Sequence, residues 1–415
     1  MVKSLTVQNW AMAWIALWAI SPPLFMDLAA RALTVIMVAV WFAVEAMRSE
    51  GILRKPTMPI VLSLVYLGYT SAMMLADQGL SALNRELQVM IMLMFMIFAE
   101  SRRKQLETMA PILWVVLIAL PVWMAITINT LLTQDAHAAR TVVRASIEAE
   151  AYTAQGVGGY ALVYGSVLLL PALLVFMERN TPMDCLFLNR PSLFRVLTLL
   201  NIALTVVLVL LAGYTIAASI LFAIFVARLT VKFNSARGLI LRLLCLPILI
   251  IVAVPLVLWG LESLLPLAAQ TSFERKIVDL ISSIAMGEVT GTAEVRYERY
   301  MRSLDLFLDN LLLGVWSFDN LGKHSSVLDS YAQWGVLFGT IFLYLLVLPA
   351  VRAFFANPWK PQLYLVLCLP LVGVFVLNNE FAAAGVIIYL ITPLASLVGA
   401  KMTGGRFSRQ GVRSA

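Results

Sequence analysis

Charge is scarce in this chain: Asp, Glu, Lys and Arg together make up 13% of its 415 residues, about half the share usual in a soluble domain. Hydrophobic residues fill 61% of it and the mean hydropathy is +0.90, so a water-soluble globule is excluded and an integral membrane protein is expected. Cysteine is scarcer still. Of the three, Cys245 and Cys368 fall in apolar runs and Cys185 in a short polar loop, which gives neither a disulfide framework nor the spacing of a metal site. No metal and no cofactor is expected. Tandem repeats and low-complexity tracts are missing as well, which excludes a solenoid.

What is present is a succession of apolar runs, each of about 20 residues, the length that spans a bilayer as a helix. The expected fold is an all-α polytopic membrane protein: one helical bundle over 1–400 and a basic cytoplasmic tail over 401–415. Twelve spans are expected, at 10–26, 28–47, 58–76, 86–100, 109–132, 157–177, 196–212, 214–230, 239–259, 327–350, 361–377 and 383–400. The first run follows a single lysine and precedes no small-residue cleavage site, so it is expected to stay in the bundle.

Net charge is +7, which invites a nucleic-acid reading until its distribution is followed. With both termini cytoplasmic, 20 of the 30 Lys and Arg residues fall on inner segments, which sets the orientation by the positive-inside rule. The excess charge is therefore topological, and nucleic acid drops out as a partner. Six of the ten outer cations lie in one large outer-face loop, 260–326, between spans nine and ten. A connection that long inside a compact bundle is a functional candidate on length alone.

Within this loop, Thr271 and Glu274 form a capping box ahead of Phe273, Ile277, Leu280, Ile281 and Ile284, with Gly287 as a stop. An amphipathic interfacial helix is expected there. The next segment, AEVRYERYMRSLDLFLDNLLLG, projects as a second helix with Tyr297, Met301, Leu304 and Leu308 on an apolar arc. Arg302 lies four residues from Glu298 and is expected to pair with it. Arg296 and Arg299 share a third arc, near Tyr300 and Ser303, with no carboxylate on it. Two free guanidinium forks suit a di-anion such as a diphosphate, though snorkelling to lipid headgroups accounts for them too.

Only two histidines occur. His324 opens span ten beside Lys323, in GKHSSVLDSYAQWGVLFG; Asp329 projects about 140° away on a helix and is not expected to orient the ring. Neighbouring cations would disfavour the imidazolium and leave a neutral base. A plain polar helix end explains a lone interfacial histidine equally well from spacing. His137, with Arg140 and Arg144 in the loop 133–156, is the rival. Gly335 and Gly339 have the GxxxG spacing of a close-packed helix face, and Glu380 is a carboxylate at a costly depth.

The order Arg296, Tyr300, Ser303, Leu304, Phe307, then Gly314, then His324, Ser325, Leu328, Asp329 and Gly335 resembles the motif of the Wzy-type polysaccharide polymerase and O-antigen ligase superfamily. GVGGYALVYG at span six and AGYTIA at 212–217 are similar to capsule and exopolysaccharide repeat-unit polymerases within it. Asn310 is followed by Leu311 where the family often has proline. This resemblance implies a GT-C-like, metal-independent glycosyltransferase of the bacterial cytoplasmic (inner) membrane. Its substrates would be an undecaprenyl-diphosphate-linked glycan donor and a glycan acceptor, with membrane lipids around it and a flippase and chain-length regulator as partners. Carried over, His324 would be the base on the acceptor hydroxyl and Arg296 the diphosphate clamp. Arg140 or Arg144 would be a second clamp, the choice left open. Arg299 comes from the projection alone, and Lys323, Tyr300 and Asp329 are supporting. An O-antigen ligase handing the glycan to lipid A core shares this donor; a polysaccharide transporter is the alternative from another class. The external position of the long polar loop and the lack of a half-to-half repeat count against a transporter.

Overall fold

The computed structural model describes residues 2–49, 51–79, 83–142, 146–177, 191–230, 292–317, 320–356 and 361–398, with isolated positions between 262 and 278. The expected ninth span (239–259), the interfacial helix at 271–287, Arg144 and the tail 401–415 lie outside the described residues.

All regular structure among the described residues is helical. In chain order it comprises α1 (Val2–Ile20), α2 (Pro22–Met26), α3 (Leu28–Met47), α4 (Met58–Gln78), α5 (Leu83–Ser101), α6 (Ala110–Thr133), α7 (Ala138–Thr141), α8 (Ile147–Ala154), α9 (Tyr160–Phe176), α10 (Pro191–Ala212) and α11 (Thr215–Thr230). Then follow α12 (Thr292–Asp309), α13 (Ser326–Ala356), α14 (Pro361–Leu377) and α15 (Ala382–Val398), which carries a π-helical stretch at Val386–Ile391. Among the described residues, five segments are long and apolar enough to cross a membrane, Leu28–Met47, Met58–Asp77, Leu106–Thr133, Pro191–Ala212 and Ser326–Ala353, and four shorter apolar helices accompany them. The first expected span is two helices, because Ser21 and Pro22 interrupt it; proline at a first helical position starts a new helix rather than continuing the old one.

α9 is the central helix. Leu162 to Leu173 are almost wholly buried along it, and it packs on α10, α14, α11 and α15. A helix apolar all round has no lipid-facing side to choose, and burial on every face follows. On the side assigned as inner, polar side chains lock the helix ends together. Arg102, 1% exposed, donates to Gln8 Oε1 at 2.7 Å. Gln8 donates in turn to Glu45 at 2.8 Å, and Arg48 bridges to the same carboxylate. Arg352 pairs with Glu100. These arginines, counted from the sequence as topological charge, also hold α1, α3, α5 and α13 in register.

α13 is broken in its middle. Gly335 has φ 72, a left-handed conformation that glycine adopts freely, and a Cβ there would collide with the Leu312 carbonyl. The backbone groups freed by the break are taken up by the preceding loop: Val315 N–H donates to Ala332 O at 3.0 Å, Trp316 N–H to Gln333 O at 3.0 Å, and Val336 N–H to Leu311 O at 2.8 Å. Helical backbone in a membrane can be interrupted only where neighbours satisfy the freed groups. The expected packing face of Gly335 and Gly339 is therefore a kink, with Gly339 lying against Tyr331 of its own helix.

Candidate functional site

Four residues of α12 at spacings of three, four and seven stand on one face, and each has a separate task. Tyr300 donates its hydroxyl to Leu377 O at 2.8 Å, fixing α12 to the end of α14. Ser303 is a hub: its oxygen accepts from Gly322 N–H at 2.9 Å and donates to Asp329 Oδ1 at 2.5 Å. Gly322 lets the loop lie directly on α12, since a Cβ there would strike the Arg299 carbonyl. Asp329 accepts from Ser325 N–H at 3.2 Å and so caps the start of α13. It holds the loop that carries His324; because that loop precedes α13 and is not helical, the projection of Asp329 against the ring does not apply to it.

Arg299 Nη1 lies 2.5 Å from His324 Nε2. A guanidinium can only donate, so Nε2 is the acceptor and the ring is the neutral tautomer protonated on Nδ1. Burial, then the Arg299 charge, then that of Arg296 hold the His324 pKa down to about 4 from an ordinary 6.5. Lys323, expected to share in this effect, instead sits exposed on a reversed backbone (φ 59) and lines a different cavity.

His324 and Arg296 face a cavity of about 790 Å³ with a mostly apolar wall that includes Ile20, Phe25, Leu120 and Leu162. Arg296 Nη1 is buried there without a hydrogen-bond partner, and its charge faces Tyr300, Tyr160 and Tyr164. A guanidinium donor buried without a partner is costly unless an anion completes it. Asn378, 4% exposed, adds a second donor without a partner, Nδ2, on the same wall. Tyr160 closes another side, donating to Asn379 O at 2.7 Å. Glu380 accepts from Ser326 Oγ at 2.7 Å, and burial pushes its carboxyl above the usual range.

The other loop contributes differently. Arg140 donates to Gly213 O at 2.5 Å and lies 5.9 Å over the Tyr214 ring; burial lowers its pKa. It stands behind Tyr214, which lines the cavity where Arg140 does not. His137 is exposed at the start of α7 and also off the cavity. Sequence reasoning passed over Asn378 and Asn379. Their signal was the polar triplet Asn378, Asn379, Glu380 set between two apolar runs. Among the described residues no cluster of three His, Cys, Asp or Glu side chains could hold a metal ion.

The chain matches no protein-family model and no curated protein.

Proposed function

We propose that this chain is a membrane glycosyltransferase that polymerises undecaprenyl-diphosphate-linked oligosaccharide repeat units on the outer face of a bacterial cytoplasmic membrane. In this reading it is a GT-C-like bundle of twelve spans with both termini cytoplasmic. The observation that carries the proposal is the pairing, on one cavity, of a neutral histidine with the half-buried Arg296, whose Nη1 is buried without a partner. The resemblance of the Arg296 to Gly335 motif to Wzy-type polymerases supports it from the sequence.

The chemistry follows from those two groups. Arg296 binds the donor diphosphate through its free donor, and the apolar wall takes the first isoprene units of the lipid. His324 Nε2 removes the proton from the acceptor hydroxyl as that oxygen bonds to the donor anomeric carbon. The bond from that carbon to the diphosphate oxygen breaks, and undecaprenyl diphosphate leaves with the electron pair, its growing charge stabilised by Arg296. Nε2 is occupied by Arg299 at rest. Donor binding therefore has to draw Arg299 from the ring to the diphosphate, which frees the base only when the leaving group is in place.

Undecaprenyl diphosphate titrated onto the full-length protein in nanodiscs tests the clamp. Arg296→Lys keeps the charge but loses the fork, and is expected to weaken binding about tenfold or more. Wild-type affinity in that variant would contradict the diphosphate role.

A further inference from the structure

A second cavity, of about 330 Å³, lies across the strand of chain that carries His324. Its wall is the first half of α13, between the helix start and the Gly335 break. There Ser326, Ser330 and Gln333 fall on one stripe at spacings of four and three. Ser330 and Gln333 are 5% and 3% exposed, and neither Ser330 Oγ nor Gln333 Nε2 has a hydrogen-bond partner. The helix break does not account for them, since its backbone groups are already satisfied from the 311–316 loop. Buried side-chain donors left open on a membrane helix are costly, and both line this cavity.

We infer that this cavity is a pyranose-binding subsite. The remaining wall selects the ligand. Asp329 and Glu380 stand on it with Lys323 at the exposed end, so an anion would meet two carboxyl groups. Tyr66, Trp334 and Phe342 supply aromatic surface, which suits the C–H face of a sugar ring. An amide, a hydroxyl and carboxyl oxygens beside such rings match the alternating donors and acceptors of adjacent sugar hydroxyls. The volume is at the low end for small-molecule sites, about 300 Å³, enough for one ring with bridging water.

The position gives the sugar a task. Asn379 and Glu380 line both cavities, and Lys323 lines this one while its neighbour His324 lines the large one. A ring seated against Gln333 can send one hydroxyl past Glu380 towards His324. It is then the terminal residue of the acceptor glycan. That role rests on the transferase proposal, whereas sugar binding itself does not.

Saturation-transfer NMR on the full-length protein in nanodiscs, with glucose, galactose, mannose and N-acetylglucosamine as probes, separates the two. At least one probe is expected to give transfer to wild type. Gln333→Leu, of nearly equal volume, is expected to weaken it about tenfold by removing a buried donor, with undecaprenyl diphosphate binding within twofold of wild type. Ser330→Ala, a smaller change, serves the same purpose if Gln333→Leu fails to insert. Transfer from none of the four probes, or transfer indifferent to both substitutions, would overturn the subsite and leave the cavity as hydration space. Sugar binding that obeys these variants while undecaprenyl diphosphate fails to bind would overturn the transferase proposal and keep the subsite.

Discussion

His324 is kept neutral by where it sits and by what donates to it, and both effects reach into measurable pH dependence. With its pKa held to about 4, the acid limb of kcat/KM is expected near that pH instead of near 6.5, because kcat/KM reports the free enzyme. Arg299→Gln removes one of the charges responsible, so the limb should move upward, yet stay below 6.5 because burial remains. A limb unmoved by that substitution would separate Arg299 from the base. Stability follows the same logic with its sign fixed by linkage. As pH falls from about 6.5 to about 4, the unfolded chain takes up a proton at His324 that the folded chain refuses. Stability is therefore lost through that window and level below it. His324→Gln should flatten this part of the pH–melting profile.

At the scale of elements, two glycines decide the geometry. Gly322 brings the loop against α12, so Gly322→Ala is expected to push the Arg299 backbone away and part Arg299 from His324. Activity should fall while the amount of protein in the membrane stays near wild type. Gly335→Ala meets both a positive φ and the Leu312 carbonyl, a strain on the order of 1–3 kcal/mol; a lowered melting midpoint in detergent checks it. The sequence made α12 legible, because Arg296, Arg299, Tyr300 and Ser303 lie on one helical face whatever that face touches. Its separation of the imidazole from Asp329 assumed a helix through His324, whereas α13 begins at Ser326 and His324 lies in the loop before it. The break in α13 was hidden, because Gly335 and Gly339 read as a packing motif until the 311–316 loop is seen pairing with it. The tyrosine wall was half hidden: Tyr160 and Tyr164 are neighbours one turn apart on α9, but Tyr214 comes from the turn between α10 and α11, and only tertiary packing brings its ring to 6.4 and 5.7 Å from theirs.

For the whole molecule, charge distribution gave an expected orientation, and two of the arginines counted towards it, Arg102 and Arg352, are bonded to Gln8 and Glu100. That orientation is testable after Cys185, Cys245 and Cys368 are replaced by serine. A cysteine in place of Ile147, 87% exposed at the start of α8, should react with a membrane-impermeant thiol reagent in intact cells. A cysteine in place of Arg54 should react only once the membrane is opened. The reverse pattern would put the cavity on the cytoplasmic side. The central claim, that His324 is the base of glycan chain extension, is met most directly by replacing it with alanine in the cell that makes the chain and sizing the envelope glycan. The variant protein should reach the membrane in wild-type amount while single lipid-linked repeat units accumulate and long polymer disappears. Polymer of wild-type length from His324→Ala would contradict it.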